Sequence, residues 1–400
     1  MKTVTLREIT LNITDGKHGD CEPAENSGYY FVSCKDVNNG TIDYANARQI
    51  SERAFLETHK RTQLEPNDIL ITNSGTIGRM ALVKDIPETY RTTFQKSVAI
   101  VKPDISVVLP TYLYYKLQNC VTDFVNCSNG SAQKNLLLGT MRKFQIDLHE
   151  DFAEQERLSS ILAAYDNLIE NNQKRIKLLE EAARRLYKEW FVDLRFPGYE
   201  DTPIVDGVPE GWEEAPIDSR ISLLSGYAFK SAQFDSSGEY KIVTIKNVKD
   251  GEFDGINTNR IVSIPGKTPK YCVLTDGDIL LSLTGNVGRT CIVNGNNYLL
   301  NQRVAKLQSD IPAFTYCLFR SSDMFDAMNN LANGTAQQNL SPIRTGKISI
   351  LFPADNLLEE FERIVGSMIS KMLSLIKQCD LLIQARDRLL PKLISGEIEV

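Results

Sequence analysis

Apolar side chains recur at alternating steps of four and three along one stretch of the chain: Leu158, Leu162, Tyr165, Ile169, Asn172, Ile176, Leu179, Ala183, Leu186 and Trp190. That spacing is a heptad seam on one face of a helix. Moving each position up by 203 (361 − 158) gives Phe361, Val365, Met368, Met372, Leu375, Cys379, Leu382, Arg386, Leu389 and Leu393. The ladder repeats, with one charged rung at Arg386. Two seams of matched length predict two long helices that pack on each other, antiparallel, each of ~40 residues and about 60 Å. Pro197 and Gly198 stop the first, and Pro391 should kink or end the second near its last turn. Asn172 either fixes the register of the pair or is a partly exposed polar residue.

Outside the seams the pattern changes to short β-prone runs bounded by Gly, Asn, Asp and Pro. YYFVSC, DILIT and VAIV occur before the first seam; KIVTI, DILLSL and CIVNG occur before the second. Segments 110–126 and 311–331 are read as short amphipathic helices. The two halves match in order. NDILITNSGTIGRMALV (67–83) returns as GDILLSLTGNVGRTCIV (277–293), YYFVSCKDVNNGTID (29–43) as YKIVTIKNVKDGEFD (240–254), and SNGSAQKNL (128–136) as ANGTAQQNL (332–340). The chain is therefore an internal repeat. The expected class is α+β: two similar mixed α/β domains, 1–150 and 199–353, separated by helical spacers at 151–198 and 354–400. Antiparallel spacers imply a pseudo-two-fold object with one head at each end.

Composition narrows the function. At 42% hydrophobic and 24% charged residues the chain of 400 is an ordinary globular one, so disordered, collagen-like and disulfide-dense classes are excluded. No apolar run reaches 18 residues, which argues against a membrane span, and the N-terminus does not read as an export signal. The eight cysteines lack C-x-x-C spacing and are expected as reduced thiols in a cytoplasmic protein. The three histidines are scattered, so no metal site is expected. Lys+Arg minus Asp+Glu is 17 − 17 = 0 for 1–150, 8 − 9 = −1 for 151–199, 14 − 17 = −3 for 200–353 and 6 − 8 = −2 for 354–400, which sums to −6. Taken alone, that balance does not advertise a phosphate partner.

Catalytic motifs are missing. Gly266-Lys267-Thr268 lacks the first glycine of a phosphate loop, since position 261 is Ile. No G-x-G-x-x-G follows a strand, no Asn/Asp-Pro-Pro-aromatic motif of amino-methyltransferases occurs, and Glu239-Tyr240-Lys241 lacks the upstream partner of a nuclease site. His18, His59 and His149 have no counterpart in the second copy.

The duplicated heads, the long helices, LYKEWFVDLRFPGYE (186–200), GVPEGWE (207–213), RLLPKLISGEI (388–398) and the paired SGTIGR/TGNVGR and NGSAQKNL/NGTAQQNL blocks together resemble the specificity (S) subunit of type I restriction-modification systems, over essentially the full length. The resemblance implies a chain with no catalysis of its own. Each domain would be a target recognition domain reading one half of a bipartite, asymmetric DNA sequence. The helices would set the spacer and dock two methyltransferase (M) subunits. S-adenosylmethionine would sit on those partners, and ATP and Mg on two restriction (R) subunits that can join. A neighbouring reading, a methylation-only or phage-related assembly that lacks R, also fits the sequence.

Base readout needs Arg, Lys, Asn, Gln, Ser or Thr held at groove edges. The candidates in the first domain are Thr72, Asn73, Ser74, Thr76 and Arg79, then Gln95 and Lys96, then Asn129, Ser131, Gln133 and Lys134. In the second they are Ser282, Thr284, Asn286 and Arg289, then Gln302 and Arg303, then Asn333, Thr335, Gln337 and Gln338. Residues shared by heads that read different sequences are structural or phosphate-binding before they are base-specifying, and Arg79 and Arg289 either touch DNA or bridge within the domain. Specificity residues are expected in the unmatched loops 14–28, 44–62 and 227–239. Two other readings stay open at this point: a helical adaptor that binds protein partners through duplicated domains without DNA, and an enzyme with an unrecognised site.

Overall fold

The computed structural model describes residues 1–38, 40–130, 134–332 and 338–398. The chain divides into two compact units, Met1–Leu168 with Leu382–Val400, and Ile169–Leu381.

In the first unit, strand Ile69–Thr72 lies between Val98–Pro103 and Met80–Leu82, and Thr10–Asp15 completes the four-stranded antiparallel sheet. The strand ILIT is buried along its whole length because both faces of the sheet are covered. Alternation divides its residues between two cores. Ile69 and Ile71 pack with Ala99, Val101 and Tyr112 on one face, while Leu70 packs with Ala81, Val98 and Ile100 on the other. A second sheet pairs Tyr30–Val32 in parallel with Thr92–Phe94 and antiparallel with Arg48–Gln49. Strand Lys2–Thr5 pairs with Gln145–Leu148.

The second unit repeats this plan. Ile279–Ser282 lies between Val304–Gln308 and Thr290–Ile292, with Ser222–Ser225 at the edge. Tyr240–Val243 runs parallel to Tyr298–Leu300, and Glu213–Pro216 pairs with Ser349–Phe352. Again the central strand divides its side chains, with Ile279 and Leu281 in one core and Leu280 in the other.

Segments 110–126 and 311–331 differ from expectation. Each is two helices, Pro110–Asn119 with Val121–Asn126 and Pro312–Phe319 with Ser322–Ala332. The leading helices are not amphipathic. Tyr112–Leu117 and Ala313–Phe319 are buried on every side, wedged between sheet and long helices.

The long helices are Phe152–Tyr187, continued by a π turn at Lys188–Val192, and Asp355–Ile394. The second ends within a turn of Pro391. No seam residue is exposed. Leu158, Leu162, Ile169, Asn172, Ala183, Trp190, Phe361, Val365, Met372, Leu375, Cys379 and Leu393 are buried, and Tyr165, Ile176, Leu179, Leu186, Met368, Leu382, Arg386 and Leu389 are half-buried. Within the second unit Ile169 meets Cys379, Asn172 Nδ2 donates to Gln378 Oε1 at 3.5 Å, and Trp190 stacks on Phe361 at 5.8 Å. Numbers rise on one helix as they fall on the other, so the pair is antiparallel there. Within the first unit the charged rung is resolved: Arg386 Nη1 donates to Asp166 Oδ1 at 2.5 Å, and Tyr115 Oη donates to Asp166 Oδ2 at 2.6 Å. Burial works against the Arg386 charge, and the two aspartates beside it, Asp166 and Asp387, hold it firmly protonated.

Candidate functional site

The three conserved-looking blocks of each copy are distant in sequence and are brought together by backbone hydrogen bonds. In the first unit the turn 73–78 leaves strand Ile69–Thr72. Thr72 Oγ1 donates to the Thr76 carbonyl and accepts from Arg79 N at 2.9 Å, while Gly78 N donates to the Thr72 carbonyl at 2.9 Å. Gly75 and Gly78 sit at φ of 79° and 92°, where a side chain is strained, which is why both copies keep glycine there. Asn73 N donates to Ser97 O at 3.0 Å, and Leu136 N donates to Asn73 O at 2.8 Å. Those two bonds clamp the 95–97 and 134–136 segments onto the turn, and Ser74 bridges to Asn135.

The second unit builds the same frame. Ser282 Oγ donates to Asn286 O and accepts from Arg289 N at 3.0 Å; Gly285 and Gly288 have φ of 74° and 81°. Leu283 N donates to Arg303 O at 3.0 Å and Leu340 N to Leu283 O at 2.7 Å, and Thr284 bridges to Asn339. Thr284, Gln302, Arg303, Gln338 and Asn339 then line one open depression of about 690 Å³.

The candidates fall into three groups. Thr72 and Ser282 are fully buried and their hydroxyls are used inside the turn, so as direct DNA contacts they are corrected to organisers of the loop. Asn73 is also buried, with Oδ1 unpartnered, and its counterpart is the apolar Leu283. Thr76, Arg79, Lys96, Asn129, Lys134, Asn286, Gln302, Arg303 and Gln338 are exposed, and Ser74, Gln95, Thr284 and Arg289 half-exposed. Gln95 Oε1 accepts from Ser97 Oγ at 3.1 Å. Asn286, with its amide turned to satisfy its neighbours, accepts from both terminal nitrogens of Arg289 at 3.2 and 3.3 Å. Ser131, Gln133, Asn333, Thr335 and Gln337 lie outside the described residues.

The register between copies is set by these bonds and not by the resemblance of QK to QR. Lys17 bridges Gln95 and Tyr227 bridges Asn301, so the counterpart of Lys96 is Gln302, and that of Ser97 is Arg303. Sequence reading missed Lys17 and Lys35 as members of the cluster. Lys96 N donates to Lys17 O at 3.0 Å, and Cys34 N donates to Ser97 Oγ at 3.2 Å, which puts Lys35 beside it. Lys17 lies in the unmatched loop 14–28. That loop meets the 44–62 segment where Lys17, His18, Glu57, Thr58 and Arg61 ring a depression, with Arg61 paired to Asp15.

Among the described residues no group of three His, Cys, Asp or Glu side chains is placed to hold a metal ion, and no helix is long and apolar enough to cross a membrane.

Comparison with known proteins gives a consistent result. The family described as "Type I restriction modification DNA specificity domain" matches twice, over residues 15–181 and 209–368. The type I restriction enzyme MjaIX specificity subunit of Methanocaldococcus jannaschii is 26% identical over 391 residues, covering 92% of this chain and 87% of that one. The HindI specificity subunit of Haemophilus influenzae is 21% identical over 467 residues, covering 99% of each. The crystal structure of the type I restriction-modification S subunit from M. genitalium shares the fold, with a TM-score of 0.58 at 14% identity over 98% of this chain and 95% of that one.

Proposed function

The chain belongs to the type I restriction-modification DNA specificity family, and from that premise we propose that each of its two loop clusters reads one half of a bipartite, asymmetric DNA target. It is the non-catalytic specificity subunit of such a system. The adaptor reading, in which DNA has no part, falls with the family assignment.

The observation that carries the two-half reading is the doubled frame. The same strand, turn and clamp recur in each unit, but side chains on them differ: Ser74 against Thr284, Thr76 against Asn286, Ser97 against Arg303. A constant frame with variable polar tips suits readout of two different half-sites. Shared members such as Arg79 and Arg289 suit phosphate contacts, which position the protein without reading sequence.

The chain as a whole is negative, whereas phosphate neutralisation dominates DNA affinity. Partner subunits therefore supply part of the positive surface. In this reading two M subunits bind per chain and carry S-adenosylmethionine for adenine methylation, two R subunits with ATP and Mg can join, and the assembly works in the cytoplasm. The isolated chain binds DNA feebly and its complex with M tightly; submicromolar specific binding by the chain alone at physiological salt would contradict this.

Methylome sequencing of cells expressing the chain with its M partner tests the reading. A bipartite methylated motif is expected. Exchanging residues 1–150 for the first domain of another family member should change one half of that motif only. A contiguous motif, or a change in both halves, overturns the reading.

A further inference from the structure

The structural register between the two loop clusters exposes a charge asymmetry. In the first unit Lys17, Lys35, Arg79, Lys96 and Lys134 all sit on the segments that the backbone bonds draw together. Lys35, Arg79, Lys96 and Lys134 are exposed and Lys17 half-exposed. Their counterparts in the second unit are Tyr227, Lys246, Arg289, Gln302 and Gln338, and Arg303 replaces Ser97. The first cluster therefore has five cations and the second has Lys246, Arg289 and Arg303. Among the described residues none of these eight lysine and arginine side chains is ion-paired with a carboxylate. One acid runs the other way: Asp36 of the first unit is matched by Asn247. Its carboxylate is buried and turned inward onto Ser33 N and Oγ, both at 2.8 Å, away from solvent. The domain totals agree in sign, 17 − 17 = 0 for residues 1–150 against 14 − 17 = −3 for residues 200–353.

Each Lys or Arg that neutralises a phosphate releases counterions, so unpaired cations translate into affinity and salt dependence without sequence information. Resting on the two-half reading above, we propose that the two domains contribute unequally. The first domain is the principal anchor on the DNA backbone, through Lys17, Lys96 and Lys134 in addition to the shared arginine. The second domain, where glutamines replace Lys96 and Lys134, leans on neutral hydrogen-bonding groups.

The register supplies its own test, because each position can be given the residue of its counterpart. The complex of the full chain with its M subunits is titrated with a duplex carrying the methylated motif, across KCl from about 50 to about 200 mM. At ~0.9 log units of slope per phosphate contact, Lys96→Gln with Lys134→Gln should reduce the slope by up to about 1.8. The affinity lost across that range should shrink about tenfold relative to wild type. Gln302→Lys with Gln338→Lys should steepen the slope by a similar amount, a gain that misfolding cannot mimic. Both pairs should leave the methylated motif unchanged. Slopes equal to wild type in both pairs, or a changed base in either half of the motif, overturn the asymmetry. If the wild-type complex itself shows no bipartite motif, it is the two-half reading that fails.

Discussion

Replacing Thr72 by valine removes a hydroxyl without changing side-chain shape, and the structure fixes what that should cost. Thr72 is fully buried, and its Oγ1 links the two sides of the turn, donating to Thr76 O and accepting from Arg79 N at 2.9 Å. Loss of a buried partner costs ~1–3 kcal/mol per group left unsatisfied. Two groups are affected, but Thr76 and Arg79 are themselves exposed, so water can reach their backbone atoms in part. A total of ~2–3 kcal/mol follows. The matched change Ser282→Ala removes the same two bonds from the second turn, to Asn286 O and from Arg289 N at 3.0 Å, and should cost a similar amount plus a small cavity term. Denaturant unfolding reads the cost, and amide exchange localises it: the Arg79 N–H should lose protection in Thr72→Val and the Arg289 N–H in Ser282→Ala. A Thr72→Val protein within ~0.5 kcal/mol of wild type with Arg79 still protected would refute the assignment of this hydroxyl as the organiser of the loop.

Three further outcomes follow from the packing and charges. Phe361 is fully buried against Tyr187, Trp190 and Phe191, so Phe361→Ala should destabilise by ~3–5 kcal/mol in thermal or denaturant melts, whereas Leu178→Ala, at 63% exposure on the same helix pair, should stay within ~0.5 kcal/mol. Arg386→Met should cost ~1–2 kcal/mol, discounted because both partners keep some solvent, and the Asp166→Asn/Arg386→Met double variant should recover much of it; strictly additive costs would show the pair to be uncoupled. Glu362 accepts from Ala313 N at 2.9 Å and Phe314 N at 2.7 Å, but burial prevails and raises its carboxyl above the ordinary range. The folded state then holds this proton to higher pH than the unfolded chain does, so stability falls as pH rises from the ordinary carboxylate value through the raised one. Glu362→Gln should flatten that part of the stability–pH curve, and an unchanged curve would count against the assignment.

Much of the loop geometry was legible in sequence because the chain carries its own comparison. The duplicated NSGTIGR and LTGNVGR turns pointed to the loop, and the two positive-φ glycines in each explain why it could not drift. Pattern alone could not separate the turn's hydroxyls from its tips. Thr72 and Thr76 have the same chemistry, but one ends a strand inside the sheet and the other crowns the turn in water. Nor could it set the register of the 95–97 and 301–303 segments, since QK and QR look alike and only the bonds from Asn73 N and Leu283 N show them to be one residue out of step. Lys17 went unseen for a related reason: its partner, Gln95, is 78 residues away (95 − 17) and is reached through a bridge no local pattern records.

The sequence by itself determined the doubled α+β plan and the two heptad helices, because periodicity and repetition survive without coordinates; the class of partner came from the resemblance its motif blocks carry. Tertiary structure decided which polar groups face water, which segments share a surface and how the two loop clusters correspond. Those depend on strand pairing and on contacts between segments tens to hundreds of residues apart. The same contacts turned Arg386 from an apparent flaw in a seam into the partner of Asp166, whose other oxygen takes Tyr115, because a carboxylate held beside a half-buried charge offsets part of its desolvation.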